Sequence, residues 1–569
     1  MFDTLPPSAQ AALDWDWPRF APYFENLRDR PLDAASVAGW LADWTKVGEL
    51  LHELYARLYV ATTVNTADTN AQQRFHAFLE EVIEPAQAAE QQLKEKLLAS
   101  GLEPAGFEVA LRNMRAEAAL FREENLPLFT QEQKLNNEYD QIIGAQTVEW
   151  DGEERTLPQL QPVYQELDRD RRERAWKLAA ARQLDDREAL NALWQKLLPL
   201  RRQMAANAGF DNYRAFRWQQ FNRFDYTPDD CLSFHAAIEA AVVPAARRIY
   251  ARRQARLGLD ALRPWDLNVD PLGRNPLRPF QSVADLESRT EAIFRRVDPQ
   301  LGAHFATMRR EGLLDLDNRK GKAPGGYQID FTQVKRPFIF MNAVGVHDDV
   351  QTLLHEGGHA FHCFESASLP YMQQRDFSAE IAEVASMSME LLAAPYLTEE
   401  SGGFYTPADA ARARIEHLEG LIQFWPYMAV VDAFQHWVYT NPDAAMHPAN
   451  CDAAWSDLWD RFMPGIDYSG LEAEKATGWQ RKLHIFQIPF YYVDYGLAQL
   501  GAVQVWRNAL SDQTGAVAAY RRALALGGTR PLPELFAAAG ATFAFDTATV
   551  REAVELVERT LEQLEAVQS

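Results

Sequence analysis

Cysteine is scarce in this 569-residue chain, with only Cys231, Cys363 and Cys451, and no C-x-x-C spacing joins any of them. That argues against a disulfide framework and against an all-thiolate zinc site, and it fits a reducing compartment. Net positive charge is missing too: 57 Lys and Arg stand against 80 Asp and Glu, a formal charge of −23. Such a balance argues against nucleic-acid partners and basic membrane-surface binding, and its plain consequence is solubility. No apolar run approaches the roughly 18 residues of a membrane span. Asp3, Asp14 and Asp16 occupy the stretch where a secretory leader would be basic and then apolar. A cytoplasmic protein is expected, long enough to need more than one ordinary core.

What is present is mostly helical periodicity carried by Ala, Glu, Gln and Leu. It predicts long helices over 34–64 and 68–100, and shorter ones over 104–123 and 129–143. The rhythm breaks at Thr147–Thr156, where alternation around Asp151-Gly152 signals a hairpin. This break sets an expected boundary between an N-terminal helical region, 1–145, and a main body, 146–569. Helices resume over 169–208, 211–222 and 228–257, then a proline-rich connection covers 258–283. Three short stretches, 313–318, 326–332 and 337–343, flank the glycine- and proline-rich run Gly321–Tyr327 and predict a small sheet. Pro337–Asn342 reads equally as an edge strand with backbone groups available to an extended peptide or as a buried strand with no role in recognition. From 348 to the end the pattern is helical again, including 471–485 as one helix.

The chemistry gathers first at His355-Glu356-Gly357-Gly358-His359. On a helix, H-E-x-x-H puts two imidazoles one turn apart on one face, where both bind one Zn²⁺ while the Glu reaches the metal's water. At 100° per residue, His355, His359 and His362 share a side, opposite Leu353, Ala360, Phe361 and Phe364. Asp348 with Gln351 is the expected cap. The paired glycines cost a helix about 1 kcal/mol each relative to Ala, so they imply close approach of another backbone or a substrate. A third ligand is needed, with a position left open for water. Glu380 and Glu383 both qualify on spacing, and Glu390 is placed to support a ligand from behind or to pair with a surface cation. His362 follows His359 too closely for the longer histidine pattern of related zinc sites. Far along the chain, His484 precedes Tyr491, Tyr492 and Tyr495. On spacing alone, an aromatic core stripe with one hydrogen-bonded His is the plainer account of that segment.

These residues together resemble the M3 family of zinc metallopeptidases, in its oligoendopeptidase F-like branch. The resemblance rests on H-E-G-G-H-A-F-H, the A-E-V-A-S after it, and H-I-F-Q-I-P-F-Y-Y-V-D-Y-G. It is supported by K-A-P-G-G-Y, R-P-F-I-F-M-N and Q-T-V-E-W-D-G-E-E, in family order from about 135 to 510. It implies a mainly α fold: a two-lobed helical ellipsoid with a deep central substrate channel and a small β-sheet beside the H-E-x-x-H helix. It implies one Zn²⁺ held by His355, His359 and Glu383, with Glu380 the runner-up, and Glu356 as general base. It makes His484 and one of Tyr491, Tyr492 or Tyr495 catalytic, the choice left open because Pro489 falls where mammalian members carry Tyr. The expected activity is endopeptidase cleavage of short oligopeptides, with no nucleic-acid or membrane partner.

Overall fold

The computed structural model describes residues 1–65, 68–319, 322, 323 and 325–568. Helices dominate it, and two small sheets complete it. The mainly α class is as expected. No helix among the described residues is long and apolar enough to cross a membrane. The chain folds into two compact units that are not sequential. One comprises Met1–Ala119, Arg278–Ala410 and Gly501–Phe543; the other comprises Leu120–Leu277, Ala411–Leu500 and the chain from Ala544 onward. The boundary expected near 145 therefore falls inside the second unit.

In the first unit, the helix Val37–Val64 buries Trp40, Leu41, Trp44 and Leu54 against Phe20, Phe24 and Leu27 of the helix Trp17–Asp29. Trp40 anchors the pair by donating to the Leu27 carbonyl at 2.8 Å. The helix expected over 68–100 is interrupted by a wide π turn at Leu79–Ile83. Pro85 follows, and its missing N–H removes one rung of the regular ladder.

The predicted small sheet forms, but with a different order. Strands β3 (Leu314–Asp317), β4 (Tyr327–Phe331) and β5 (Arg336–Ala343) follow the hairpin strands β1 (Thr147–Trp150) and β2 (Glu153–Thr156) of the second unit. Their order is β3-β5-β4, so β5 is central, parallel to β3 and antiparallel to β4. Of the two readings of Pro337–Asn342, the edge strand is thus overturned and the buried strand holds. The reason is legible in β5: Phe338, Ile339, Phe340 and Met341 are buried in succession, as in a strand covered on both faces. Lys322 ties the sheet together, donating to Asp315 Oδ1 at 2.9 Å and to the Asp317 carbonyl at 2.8 Å. Lys320, Gly321 and Pro324 of the adjoining glycine-rich run lie outside the described residues.

In the second unit, β1 and β2 pair across Asp151 and Gly152, both at positive φ (51° and 81°) as a two-residue hairpin turn requires. The segment expected as one helix over 471–485 is broken into Glu472–Ala476, a 3₁₀ turn at Thr477–Arg481, and Leu483–Gln487. A Cβ on Gly478 would meet the Trp455 indole at 2.6 Å, so a close ring contact replaces regular helix there.

Candidate metal centre

The histidine helix runs His347–Ser366 in the first unit. Asp349 caps it, accepting on Oδ2 from the backbone N–H groups of Val344, Gly345 and Val346 at 2.8–2.9 Å. This corrects the expected Asp348–Gln351 box: the N-cap is Val346, two residues before Asp348, so Asp349 stands at the third helical position and reaches back to the free donors. Leu353, Ala360 and Phe361 are fully buried, which fixes the rotation of the helix and leaves His355 and His359 on its less buried side.

The paired glycines set two close approaches, Gly358 to the next helix, Ala379–Ala393, and Gly357 to Phe294 of the helix Val283–Val297. A Cβ on Gly358 would lie 2.5 Å from the Ala385 carbonyl oxygen and the Ser386 Cα, and one on Gly357 would lie 2.5 Å from the Phe294 ring. Only glycine lets the two helices approach this closely. Tyr520 secures the second helix by donating to the Ala385 carbonyl at 2.8 Å. The approach brings Glu383 to the histidines: its Oε2 lies 3.4 Å from His355 Nε2 and 3.6 Å from His359 Nε2.

Three donors about 2.0–2.2 Å from a tetrahedral Zn²⁺ are roughly 3.3–3.6 Å from one another; the two distances from Glu383 match that spacing, and all three donor atoms lie within 4.8 Å of one another. Their surroundings fit as well. His355 Nδ1 meets Glu390 Oε1 at 2.7 Å, a contact that orients the ring so that Nε2 is the nitrogen turned toward Glu383. Ser386 donates to Glu383 Oε2 at 2.9 Å. Burial opposes charge on His355, but Glu383 and Glu390 outweigh it and raise its pKa well above the ordinary value. The cluster is therefore built to hold positive charge. Burial pulls His359 down to about 4, leaving it neutral, the form that ligates. Glu356 is pushed up to about 7 by burial, with Glu383 and Glu390 adding to the effect against His355. Its Oε2 is buried without a hydrogen-bond partner.

Two neighbours stand apart from this group. Glu380 is buried one turn before Glu383 and is not in the cluster of converging donors. His362 lies flat on Phe377 at 3.6 Å between ring centroids, away from the donors. Ser386 was not singled out from sequence; its signal was its place one turn after Glu383.

A second group of donors, Cys231, Asp432 and His436, lies buried in the second unit. It is a hydrogen-bonded core network. Asp432 Oδ2 accepts from His235 Nε2 at 2.8 Å and faces His436 Nε2 at 3.3 Å. Arg214 Nη1 sits 3.2 Å from His436 Nδ1; a guanidinium only donates, so Nδ1 accepts, while His436 Nε2 is buried without a hydrogen-bond partner.

The distal segment also belongs to the second unit. His484 lies on the short helix Leu483–Gln487, with ring centroids 6.1, 4.9 and 6.0 Å from those of Tyr491, Tyr492 and Tyr495. Between them Phe490 takes φ +69°, a left-handed conformation that an aromatic residue adopts only under constraint. The constraint is visible. Phe490 N–H donates to Gln435 Oε1 at 2.7 Å, and its carbonyl accepts from Arg223 Nη2 at 2.7 Å. Arg223 in turn pairs with buried Asp494 at 2.6 Å. Burial and the nearby Lys482 charge lower His484 to about 4, so it is neutral near pH 7 and keeps an N–H to donate.

Two imidazoles and a carboxylate converging from neighbouring helices, with a buried acid oxygen free beside them, form a candidate His₂–carboxylate metal site, a donor set that hydrolytic zinc sites use. Residues 163–555 match Peptidase family M3, and the chain belongs to that family. It is similar to the solved structure of PZ peptidase A with inhibitor 2: 28% identity, TM-score 0.87, 99% of each chain covered. Oligopeptidase PepF of Bacillus subtilis is 25% identical over 48% of this chain and 39% of its own length. An oligoendopeptidase F homolog of Borreliella burgdorferi is 22% identical over 52% of this chain and 49% of its own. The match thus spans about half or less of those curated relatives.

Proposed function

We propose that this protein is a cytoplasmic zinc endopeptidase that hydrolyses internal bonds of short oligopeptides. The observation that carries the reading is the convergence of His355 Nε2, His359 Nε2 and Glu383 Oε2 beside the partnerless Glu356 carboxylate. Family membership and the names of the relatives, oligopeptidases and oligoendopeptidases, support it.

His355, His359 and Glu383 would hold one Zn²⁺, which when bound polarises a carbonyl and makes water nucleophilic near neutral pH. Glu390 and Ser386 fix the orientation of His355 and Glu383. Glu356 accepts the proton of the attacking water on its free oxygen and delivers it to the leaving amine. A pKa near 7 suits both halves of that task. His484, neutral and able to donate, is assigned with one of Tyr491, Tyr492 or Tyr495 to the developing oxyanion.

The test is a peptide-library digest read by mass spectrometry, for wild type and Glu356→Gln, with the metal content of each. Internal cleavage by the wild type and a loss of several orders of magnitude in the variant, zinc retained, are expected. Near-normal cleavage by Glu356→Gln would overturn the role of Glu356, and removal of C-terminal residues alone would make the protein a carboxypeptidase.

A further inference from the structure

Burial opposes the charge of three lysines, Lys322, Lys96 and Lys482, and two of them are saturated. Lys322 binds Asp315 Oδ1 together with main-chain carbonyls. Lys96 donates to the carbonyls of Leu27, Arg28 and Arg30. Lys482 differs. Its ammonium has three protons to place, and its hydrogen bond is to the Tyr492 hydroxyl at 2.8 Å. Its other neighbours are ring faces: the Tyr492 centroid at 4.1 Å and the Tyr427 centroid at 5.3 Å. Among the described residues no carboxylate forms an ion pair with it, in a chain that carries 80 acids. Burial alone lowers its pKa to about 8, with no acid nearby to offset the cost.

A desolvated ammonium with unfilled donors attracts an anion, and two tyrosine faces hold it in place without neutralising it. Its position says which anion. Lys482 is two residues before His484, and the Tyr492 ring it touches is 4.9 Å from the His484 ring. We propose that Lys482, beside the His484 assigned above to the oxyanion, receives a carboxylate of the peptide being cut and so sets a preference among substrates. This rests on the peptidase reading above and adds the chemical class recognised. The carboxylate has two sources: the free C-terminus of a short peptide, or an Asp or Glu side chain near the cut. In either case Lys482 donates to the substrate oxygen while keeping its bond to Tyr492, whose own O–H stays free to donate.

The experiment uses the zinc-loaded full chain and two matched peptide pairs, one differing in a C-terminal acid or amide, the other in Glu or Gln beside the cleaved bond. Wild type, Lys482→Met and Lys482→Arg are compared by kcat/KM, with thermal midpoint and zinc content as checks on folding. Wild type is expected to favour the carboxylate member of one pair by roughly 10–100-fold, the worth of a charge-assisted hydrogen bond. The pair that discriminates identifies the source. Lys482→Met collapses that ratio toward one through the carboxylate peptide, and Lys482→Arg preserves much of it. A wild-type ratio near one for both pairs, or a ratio that Lys482→Met retains, overturns the proposal. If folded, zinc-loaded wild type cuts no peptide of any kind, the peptidase reading itself fails and takes this inference with it.

Discussion

In the first unit the donors sit on uninterrupted helices: His355 and His359 one turn apart on one, Glu383 and Glu390 two turns apart on the next. In the second unit His484 and three tyrosines are brought together by a bend whose central residue, Phe490, is at φ +69°. The helical arrangement takes its accuracy from regular geometry and from two glycines that permit close packing. The bent arrangement takes its accuracy from buried side chains remote in sequence, Gln435 and Arg223, which hold the main chain where it would not otherwise rest. Helix-built sites therefore depend on spacing, and turn-built sites on the surrounding core.

The largest effect should come from the helical half. Glu383→Ala removes the proposed third ligand and is expected to cost more zinc affinity than the roughly 10–100-fold typical of losing an outer partner, which is the loss expected for Glu390→Ala. Metal titration of both variants beside Glu380→Ala ranks the three carboxylates; a greater loss in Glu380→Ala than in Glu383→Ala would make the ligand assignment wrong. Next in size is Gly358→Ala. Its Cβ would sit 2.5 Å from main-chain atoms that have no rotamer to turn away. The helices must separate, at a cost of about 3 kcal/mol, and zinc retention should fall with stability. Urea unfolding and metal analysis on one sample check this, and unchanged values would remove the glycines from the account. The bent half is broken more gently by Gln435→Ala, which leaves the buried Phe490 N–H unsatisfied at roughly 1–3 kcal/mol. Here kcat should fall with zinc affinity unchanged, because the metal donors belong to the other unit. Loss of zinc instead would mean that the two arrangements are not independent.

Residue spacing made most of the helical half legible. The i, i+4 histidines, the glycines as markers of close approach and Glu390 behind the ligands all follow from helix periodicity. Periodicity alone did not separate Glu380 from Glu383, because both are on the inner side and only the packing angle set by Gly358 brings one to the histidines. The place of β5 in the small sheet was not legible for a related reason: it looks like an edge strand only until β3 pairs with its other side. The bent half was least legible, since nothing in Ile488–Tyr491 announces a left-handed aromatic residue. Its supports lie 55 and 267 positions away. The lone ammonium of Lys482 was invisible for the same reason, because having no acid partner is a property of the folded core.

The smallest effect sharpens the comparison inside one helix. His362 shares the face of His355 and His359 in projection, yet it is buried against Phe377 with neither ring nitrogen hydrogen-bonded. Burial, with His359 contributing, holds its pKa down to about 3. An unfolded His titrates near 6.5, so between those values the unfolded chain binds more protons. The stability linked to neutral His362 is thus full above about pH 6.5 and is lost as pH falls toward the folded value. His362→Phe keeps the flat stacking shape and removes two unsatisfied polar atoms. It should therefore raise stability by about 1 kcal/mol at pH 7.5 and should make the decline toward pH 5 shallower. Urea unfolding of chelator-treated wild type and variant at both pH values isolates this residue, since every other titrating group cancels in the difference. Equal slopes would show that His362 is charged or hydrated in the folded chain, and the division between ligand and core histidines along this helix would have to be redrawn.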